Sequence, residues 1–124
     1  MIVGSIKENI ELEKRVSITP ESAKNIINLG IQVQIERGYA EHIGLSDSFY
    51  QDNGVQIKNS SKEIMETSDL LLKVECPNSE EISLMKKNLI LVGIFNPSKN
   101  ESRLKEILKK EIKIFFLELL PRIT

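Results

Sequence analysis

The sequence lacks most of the features that would identify a function from composition alone. It has no tryptophan and only 5% aromatic residues, which argues against a base-stacking platform for nucleic acid. Its 17 basic and 18 acidic residues give a formal net charge of -1, so neither nucleic acid nor an anionic membrane surface is an expected partner. No apolar run approaches the roughly 20 residues that a membrane-spanning helix needs.

Cysteine and histidine are equally scarce. Cys76 is the one cysteine and His42 the one histidine, so an internal disulfide is excluded and a metal site is poorly supported. The two side chains could form a nucleophile pair, but Cys76 stands beside a proline at the end of an apolar run, where a packed small residue is the commoner role. The single cysteine, together with the lack of a signal-peptide pattern at the N-terminus, indicates a cytosolic or membrane-peripheral protein.

Glycine-rich nucleotide motifs are also missing. Neither Gly-x-Gly-x-x-Gly nor Gly-x-x-x-x-Gly-Lys-Ser/Thr occurs among the six glycines of the sequence. These motifs place backbone N–H groups around phosphates at the N-terminus of a helix. A dinucleotide fingerprint is therefore absent from this chain.

Short apolar segments alternate with amphipathic segments along the chain, and this alternation predicts an α/β domain. Strands are predicted at 2–6, 31–35, 55–57, 69–74, 89–94 and 112–117. Residues 89–94 form a continuous apolar run, which is typical of a strand covered on both faces. At 124 residues, we predict one domain with a mainly parallel sheet, flanking helices and right-handed crossovers.

Five helices are predicted from capping residues that precede amphipathic segments. The capping residues are Thr19, Ser46, Ser60, Asn78 and Asn100. On the outer face of the last helix, Glu101 is spaced to pair with Lys105 and Glu106 to pair with Lys110.

Three cations stand where a strand end or loop would present them to a ligand, because ligands of parallel sheets bind beyond the carboxyl ends of strands. Lys73 interrupts an apolar strand, so its ammonium either faces an anionic ligand in the crevice or extends to solvent. Arg15, in a polar loop near Glu8 and Glu13, is either a binding group or a solvated surface arginine. Arg122 follows the last strand and a proline, as a loop binding group or a solvated tail residue.

Three segments, in this order, resemble the alanine dehydrogenase and nicotinamide nucleotide transhydrogenase superfamily. They are Lys7-Glu8 followed by Glu13-Lys14-Arg15-Val16-Ser17-Ile18-Thr19-Pro20, then Asp69-Leu70-Leu71-Leu72-Lys73-Val74, then Glu118-Leu119-Leu120-Pro121-Arg122-Ile123. The second resembles the family's lysine-bearing strand, and the third resembles the start of the mobile nucleotide-site loop of the transhydrogenase α subunit. The resemblance implies two Rossmann-like, doubly wound domains in a full member. Residues 1–124 would be most of the first, and the dinucleotide-binding domain would lie downstream, outside this chain.

The resemblance favours the transhydrogenase branch over the alanine dehydrogenase branch. In alanine dehydrogenases the apolar strand before the third helix ends in a histidine that works with the arginine and the lysine on the keto acid. Here that region reads Gly93-Ile94-Phe95-Asn96-Pro97, and His42 lies elsewhere. The alternatives are a fragment of an amino-acid dehydrogenase that uses Arg15 and Lys73, and a non-catalytic interaction domain that kept the fold.

In the transhydrogenase branch, the resemblance implies an NAD(H)-binding subunit that passes hydride to NADP held by another component, coupled to proton movement through a membrane part. Arg122 matches the family's loop arginine near the nicotinamide, and Arg15 and Lys73 match its substrate-pocket cations. The implied partners are the downstream NAD-binding domain, the membrane and NADP-binding components, and a second copy in a homodimer. The implied location is cytoplasmic, peripheral to the inner membrane. Because it holds neither complete cofactor site, the chain alone is expected to be inactive.

Overall fold

The computed structural model describes residues 1–116 of the chain. Within that range, six strands form one sheet in which all neighbouring pairs are parallel. The elements are β1 (Ile2–Ser5), α1 (Pro20–Ile27), β2 (Gln32–Glu36), a 3₁₀ turn (Glu41–Ile43), α2 (Asp47–Asp52), β3 (Gln56–Lys58), α3 (Ser61–Thr67), β4 (Leu70–Lys73), α4 (Ser79–Leu84), β5 (Ile90–Gly93), α5 (Glu101–Lys109) and β6 (Lys113–Phe116). This architecture confirms the predicted α/β class.

The strand order is β3-β2-β1-β4-β5-β6, which is the order of a doubly wound, Rossmann-like sheet. The chain winds outward from β1 to β3, then returns and starts again at β4 beside β1. The two central strands pair with Gly4 opposite Leu71 and Ser5 opposite Leu72. At this reversal of direction, the loops that leave β1 and β4 diverge to opposite sides and open a crevice. Lys73, the last residue of β4, stands at its edge.

The helices divide between the two faces of the sheet. On one face, Ala23 of α1 and Tyr50 of α2 belong to a core with the inner residues of β1 and β2. On the other, Ile64 of α3, Ile82 of α4 and Ile107 of α5 belong to a second core with β4 and β5. The helices that follow β1 and β2 therefore cover one face of the sheet, and α3, α4 and α5 cover the other. The sheet separates the two cores.

The prediction that residues 89–94 form a strand covered on both faces is wrong on one face. Leu91 is fully buried on the side of α3, α4 and α5. Val92 points to the opposite side and is only partly buried, and Phe115, its neighbour on β6, is 51% exposed. The reason is the winding: within residues 1–116, the helices on that side are α1 and α2, and these contact β2 and β3.

Most predicted helix starts and one predicted ion pair are confirmed. Thr19 and Asn78 each form a reciprocal capping box at the start of α1 and α4. Ser60 caps α3 by accepting a backbone hydrogen bond at 3.3 Å. On α5, Lys105 Nζ lies 3.3 Å from Glu101 Oε1. Each of these contacts joins residues three or four positions apart, which is why a sequence pattern can predict it.

Ser46 and Asn100 precede α2 and α5 as predicted, but neither side chain makes the capping hydrogen bond expected of it. The Ser46 hydroxyl is hydrogen-bonded to Ser48 Oγ at 2.8 Å instead. The Asp47 carboxylate accepts from the backbone N–H of Gly38 at 3.0 and 3.1 Å, which ties α2 to the turn after β2. Lys110 does not pair with Glu106. Its ammonium donates to two carbonyl oxygens at the end of α4, at 2.8 and 3.0 Å, where the negative end of a helix attracts a cation.

Candidate functional site

A buried ion pair stands at the carboxyl end of β4. The side chains of Lys73 and Glu8 are 3% and 0% exposed, and Lys73 Nζ donates to Glu8 Oε1 at 3.0 Å. Glu81 Oε2 lies further from the same ammonium, at 3.8 Å. The interpretation of Lys73 as a lysine that extends to solvent is therefore wrong, because a partner inside the protein neutralises its charge.

Glu8 holds more than the lysine. Its carboxylate also accepts from the backbone N–H groups of Val74 at 3.0 Å and Glu75 at 3.1 Å. A carboxylate buried in this way is stabilised by charge-assisted hydrogen bonds on both of its oxygens. Glu8 therefore fastens the loop after β1 to the turn after β4, the two segments that border the crevice.

Glu8 was not identified as a site residue from the sequence, where it was noted as a neighbour of Arg15 and as part of the first segment that resembles the family. The available signal was Lys73, since a charge within an apolar strand requires a partner. That rule does not say which of the 18 acidic residues it is, and the two partners are 65 positions apart.

Arg15 lies at the rim of the crevice and pairs with Glu13. Its Nε and Nη2 donate to the two carboxylate oxygens at 2.9 and 2.7 Å, although the arginine side chain is 66% exposed. The hydrogen bond from Arg15 lowers the pKa of Glu13 to about 2. It also raises the pKa of Arg15 above its already high ordinary value. This is the weakly stabilising surface pair that the sequence allowed for.

The loop after β1 is held from below by Tyr39. The tyrosine oxygen accepts from the backbone N–H groups of Ser17 at 3.0 Å and Ile18 at 3.2 Å, and lies 2.8 Å from Ser5 Oγ. Because Ser5 Oγ donates to the carbonyl oxygen of Leu72 at 2.7 Å, Tyr39 must donate to Ser5. Burial raises the pKa of the Tyr39 hydroxyl, which keeps the proton that this arrangement requires.

These segments enclose a crevice of about 230 Å³ at the reversal of strand order. It is lined by Arg15, Val16, Ser17, Leu72, Lys73, Val74, Val92 and Ile94. The structure thus brings two of the three candidate cations, Arg15 and Lys73, to one place. The third, Arg122, lies outside the described residues.

The end of β5 forms the aliphatic wall of the crevice. Gly93 stands opposite Lys73 in the sheet, and a methyl group on Gly93 would collide with the Lys73 carbonyl oxygen and the Phe95 ring. The next residue, Ile94, is 40% exposed and lines the crevice. No titratable side chain of Ile90–Gly93 or Ile94 therefore enters the crevice from this strand.

Comparison with known proteins identifies the family. The model of the family described as alanine dehydrogenase/PNT, N-terminal domain, matches residues 4–124. The chain belongs to this family.

Transhydrogenase α subunits match over the whole chain. The NAD(P) transhydrogenase subunit alpha of Haemophilus influenzae is 32% identical over 124 residues, which cover 100% of this chain and 24% of that protein. The crystal structure of transhydrogenase from Sinorhizobium meliloti superimposes with a TM-score of 0.92 at 31% identity, over 100% of this chain and 37% of that one. This family member therefore spans only 24% and 37% of the length of these two relatives.

Alanine dehydrogenases match slightly less of the chain. The alanine dehydrogenase of Methanococcus maripaludis is 30% identical over 112 residues, which cover 90% of this chain and 30% of that protein. The Rossmann-like fold is therefore confirmed, and the transhydrogenase branch is the better supported of the two, as the sequence segments indicated.

Cys76 and His42 lie in different environments. Cys76 is buried in the core on the side of α4 and α5, and burial raises the pKa of its thiol to about 11. The packed role predicted for it is confirmed. His42 is exposed, and its Nε2 donates to the carbonyl oxygen of Lys14 at 2.8 Å. In the described structure, these two side chains are therefore not placed to form a nucleophile pair.

Residues 1–116 contain no group of three His, Cys, Asp or Glu side chains placed to hold a metal ion. In the same range, no helix combines the length and apolar character needed to cross a membrane.

Proposed function

We propose that this chain is the N-terminal domain of the NAD(H)-binding subunit of a proton-translocating NAD(P) transhydrogenase, where it forms one wall of the hydride-transfer site. The observation that carries the proposal is the likeness to the Sinorhizobium meliloti transhydrogenase over 100% of this chain. Fold alone does not establish chemistry, so the proposal also depends on the segments shared by sequence.

NAD would not be bound by this chain alone. The crevice of about 230 Å³ is below the roughly 300–1,000 Å³ of sites for drug-sized ligands, and a dinucleotide is larger still. The chain also lacks a glycine-rich phosphate turn. The adenine and pyrophosphate would be held by a downstream dinucleotide-binding domain, and NADP by a separate component. NAD supplies the hydride chemistry when bound; this chain would position the nicotinamide end.

Three cations have proposed roles. Arg122, which lies outside the described residues, would contact the nicotinamide region of the cofactor. Lys73 and Arg15 match substrate-pocket cations of the superfamily, and in this branch their contribution would be to hold the crevice in shape. The assembled subunit would be cytoplasmic and peripheral to the inner membrane, as a homodimer bound to the membrane and NADP-binding components.

A second candidate function is supported by one observation: Arg15 and Lys73 line the same crevice. Two cations in one crevice are typical of a site for a small carboxylate, as in an amino-acid dehydrogenase. Both cations are already paired with carboxylates of the chain, however, and Ile94 provides no proton-transfer group. We therefore place this candidate second.

The two functions are separated by a domain replacement. We would exchange the matching N-terminal segment of the Sinorhizobium meliloti transhydrogenase for this chain and measure hydride transfer from NADPH to NAD. Transfer should persist, and Arg122→Ala should lower it by about tenfold or more, since aligning reacting groups contributes factors of this size. Arg37→Ala, at an exposed arginine of the turn after β2, is the control and should leave the rate unchanged.

Three results would count against the proposal. A folded but inactive exchange protein would contradict the assignment. Micromolar binding of NADH to the 124-residue chain alone, measured by titration calorimetry, would show that this chain contains a complete cofactor site. Binding of pyruvate that is lost in Lys73→Ala would favour the amino-acid dehydrogenase instead.

A further inference from the structure

The turn that ends α2 contains the one Asn-Gly pair of the sequence, Asn53-Gly54. An asparagine before a glycine can lose its side-chain amide to its own backbone, because glycine has no Cβ to hinder the approach of its nitrogen. Asn53 is half-buried and Gly54 is exposed, so water reaches this turn. The pair lies outside the crevice.

Deamidation at such a pair is an intramolecular reaction that consumes only water. The Gly54 nitrogen gives up its proton to hydroxide and attacks Cγ of Asn53. A C–N bond forms and closes a five-membered succinimide, while the bond from Cγ to Nδ2 breaks and that nitrogen, protonated by water, leaves as ammonia. Water then opens the ring at either carbonyl, which leaves aspartate or isoaspartate at position 53.

The folded turn opposes this reaction at both reacting groups. Nδ2 of Asn53 donates to the carbonyl oxygen of Phe49 at 2.8 Å, which directs the side-chain amide back along α2. The N–H of Gly54 donates to the carbonyl oxygen of Gln51 at 3.0 Å, and this bond retains the proton that the nucleophile must lose. Both hydrogen bonds must therefore open before the ring can close.

The backbone angle of Asn53 is also wrong for ring closure. The Cβ, Cα and C atoms of Asn53 and the nitrogen of Gly54 all belong to the succinimide ring, which is nearly planar. At a ψ of 11°, the Gly54 nitrogen is nearly eclipsed with the backbone nitrogen of Asn53, so Cβ lies well out of that plane. A large rotation about the Cα–C bond is required. It would break the 3.1 Å hydrogen bond from the N–H of Val55 to the carbonyl oxygen of Tyr50.

The last turn of α2 can open without the rest of the domain. With 6 residues, Asp47–Asp52, the helix is below the length at which an isolated helix is stable. Its anchor is Tyr50, which is fully buried and donates to the carbonyl oxygen of Ile18 at 2.7 Å. The residues that follow, Gln51 and Asp52, are exposed. Local opening of such a segment requires less free energy than global unfolding.

We propose that Asn53 is a deamidation site that is closed while the last turn of α2 is formed and opens when this turn frays. Deamidation then keeps the turn open. A carboxylate at position 53 has no donor for the carbonyl oxygen of Phe49, and it adds a negative charge beside Asp52 at the negative end of the helix. The inference goes beyond the proposed function and does not depend on it, because it concerns a turn that this chain forms by itself.

The test measures the conversion of Asn53 against that of Asn59, an internal reference in the same chain. Asn59 and Ser60 are exposed, and within residues 1–116 neither the Asn59 side chain nor the N–H of Ser60 makes a hydrogen bond. The 124-residue chain is incubated at mildly alkaline pH, folded or unfolded in guanidinium chloride. Trypsin then cleaves after Lys58 and places the two asparagines on different peptides for mass spectrometry.

Folding should reverse or sharply reduce the advantage of Asn53 in this comparison. In the unfolded chain, Asn53 should convert faster than Asn59, since the side chain of Ser60 hinders the attacking nitrogen. In the folded chain, the ratio of the two rates should be lower by about tenfold to a hundredfold, as expected when two hydrogen bonds must open first.

The variant Asn53→Asp reproduces one product and tests its effect on the turn. Hydrogen exchange at the backbone amides of Gly54 and Val55, followed by NMR, should accelerate by about three- to tenfold, because one hydrogen bond is lost and a charge opposes the helix end. Asn59→Asp is the matched control: it adds the same charge before α3 and should leave both rates unchanged. Dispersed ¹⁵N spectra establish that both variants remain folded.

Any of three results would overturn the inference. A ratio of Asn53 to Asn59 conversion that is equal in the folded and the unfolded chain would show that the turn gives no protection. A folded-state rate that rises with guanidinium chloride as steeply as global unfolding does would show that the site opens with the whole domain. Unchanged exchange at Gly54 and Val55 in Asn53→Asp would show that the product does not keep the turn open. None of these results bears on hydride transfer in the domain replacement.

Discussion

The buried pair of Glu8 and Lys73 allows a stability prediction with a defined size. Glu8→Gln keeps the shape of the side chain and an oxygen for the backbone N–H groups, but it removes the charge that faces the ammonium. Breaking a buried pair from one side costs about 3–5 kcal/mol, because the remaining charge is left uncompensated. Glu81, at 3.8 Å from the ammonium, reduces that loss. We expect about 3 kcal/mol, a large share of the 5–15 kcal/mol typical of a domain.

Urea unfolding at neutral pH, followed by far-UV circular dichroism, measures this loss. With a slope of about 1.5–2 kcal/mol/M, a loss of about 3 kcal/mol lowers the urea midpoint by about 1.5–2 M. Glu13→Gln is the matched control, since it removes the carboxylate of a pair whose arginine is 66% exposed. Surface pairs of this kind contribute about 1 kcal/mol or less.

A double-mutant cycle tests whether the loss comes from the pair itself. Lys73→Met alone leaves the Glu8 carboxylate with two backbone donors, whereas Glu8→Gln with Lys73→Met leaves no buried charge at either position. The double variant should therefore lose less unfolding free energy than the sum of the two single-variant losses, by about 1.5 kcal/mol or more. A loss below about 1 kcal/mol in Glu8→Gln, or additive single effects, would refute a tight buried pair.

Three further outcomes follow from the crevice and its surroundings. Tyr39→Phe removes the acceptor of two backbone N–H groups and should lower the free energy of unfolding by about 2–4 kcal/mol. Tyr50→Phe, the control, loses a single hydrogen bond and should lower the free energy of unfolding by less. Equal losses in the two variants would contradict the assigned network. The pKa of Glu13 is lowered to about 2 in the folded chain from about 4.3 in the unfolded chain. The stability that its carboxylate contributes is therefore complete above about pH 4.3 and is lost as the pH falls toward 2. A carboxyl-carbon NMR titration should show this pKa rising toward 4.3 in Arg15→Ala, and an unchanged value would exclude the pair in solution. With a thiol pKa of about 11, Cys76 should react with iodoacetamide at pH 8 about 100-fold or more slowly than in the urea-unfolded chain, and similar rates would mean that the thiol is exposed.

The sequence predicted the fold where local chemistry is decisive. Thr19 and Asn78 cap their helices through side chains three residues apart, which a sequence pattern contains in full. The pairing of Lys110 was predicted wrongly because its pattern is equally good locally, but a partner distant in the chain competes. The Ser46 cap is missing because its hydroxyl bonds to the neighbouring Ser48. The apolar run at 89–94 indicates that these residues are hydrophobic, but it does not indicate which face of the strand a helix covers. Patterns therefore specify elements, and contacts between elements decide the rest.

The site was less predictable than the fold, for a related reason. The strand-end rule located Lys73 at the crevice without the structure, because the carboxyl end of a strand is visible in sequence. The role of Glu8 depends on the strand order, since β4 lies beside β1 only after the chain has wound out to β3 and returned. The Ser17 hydroxyl, which is buried without a hydrogen-bond partner within residues 1–116, was equally invisible, because satisfaction of a hydrogen bond is a property of the folded surroundings.

The Glu8–Lys73 pair also bears on how far the crevice cations can identify an activity. The proposed match of Lys73 and Arg15 to the superfamily's substrate-pocket cations does not separate the two branches, because removing Lys73 would leave Glu8 charged and buried in either of them. Their presence is therefore explained by stability whether or not a keto acid binds. The stability of the Glu8–Lys73 pair does not explain the residue that follows β5, Ile94, whose aliphatic side chain lines the same crevice. Among the described residues, the crevice is lined by aliphatic side chains, Ser17 and two cations that are already paired with carboxylates, and this is the composition on which the proposed order of the two functions rests.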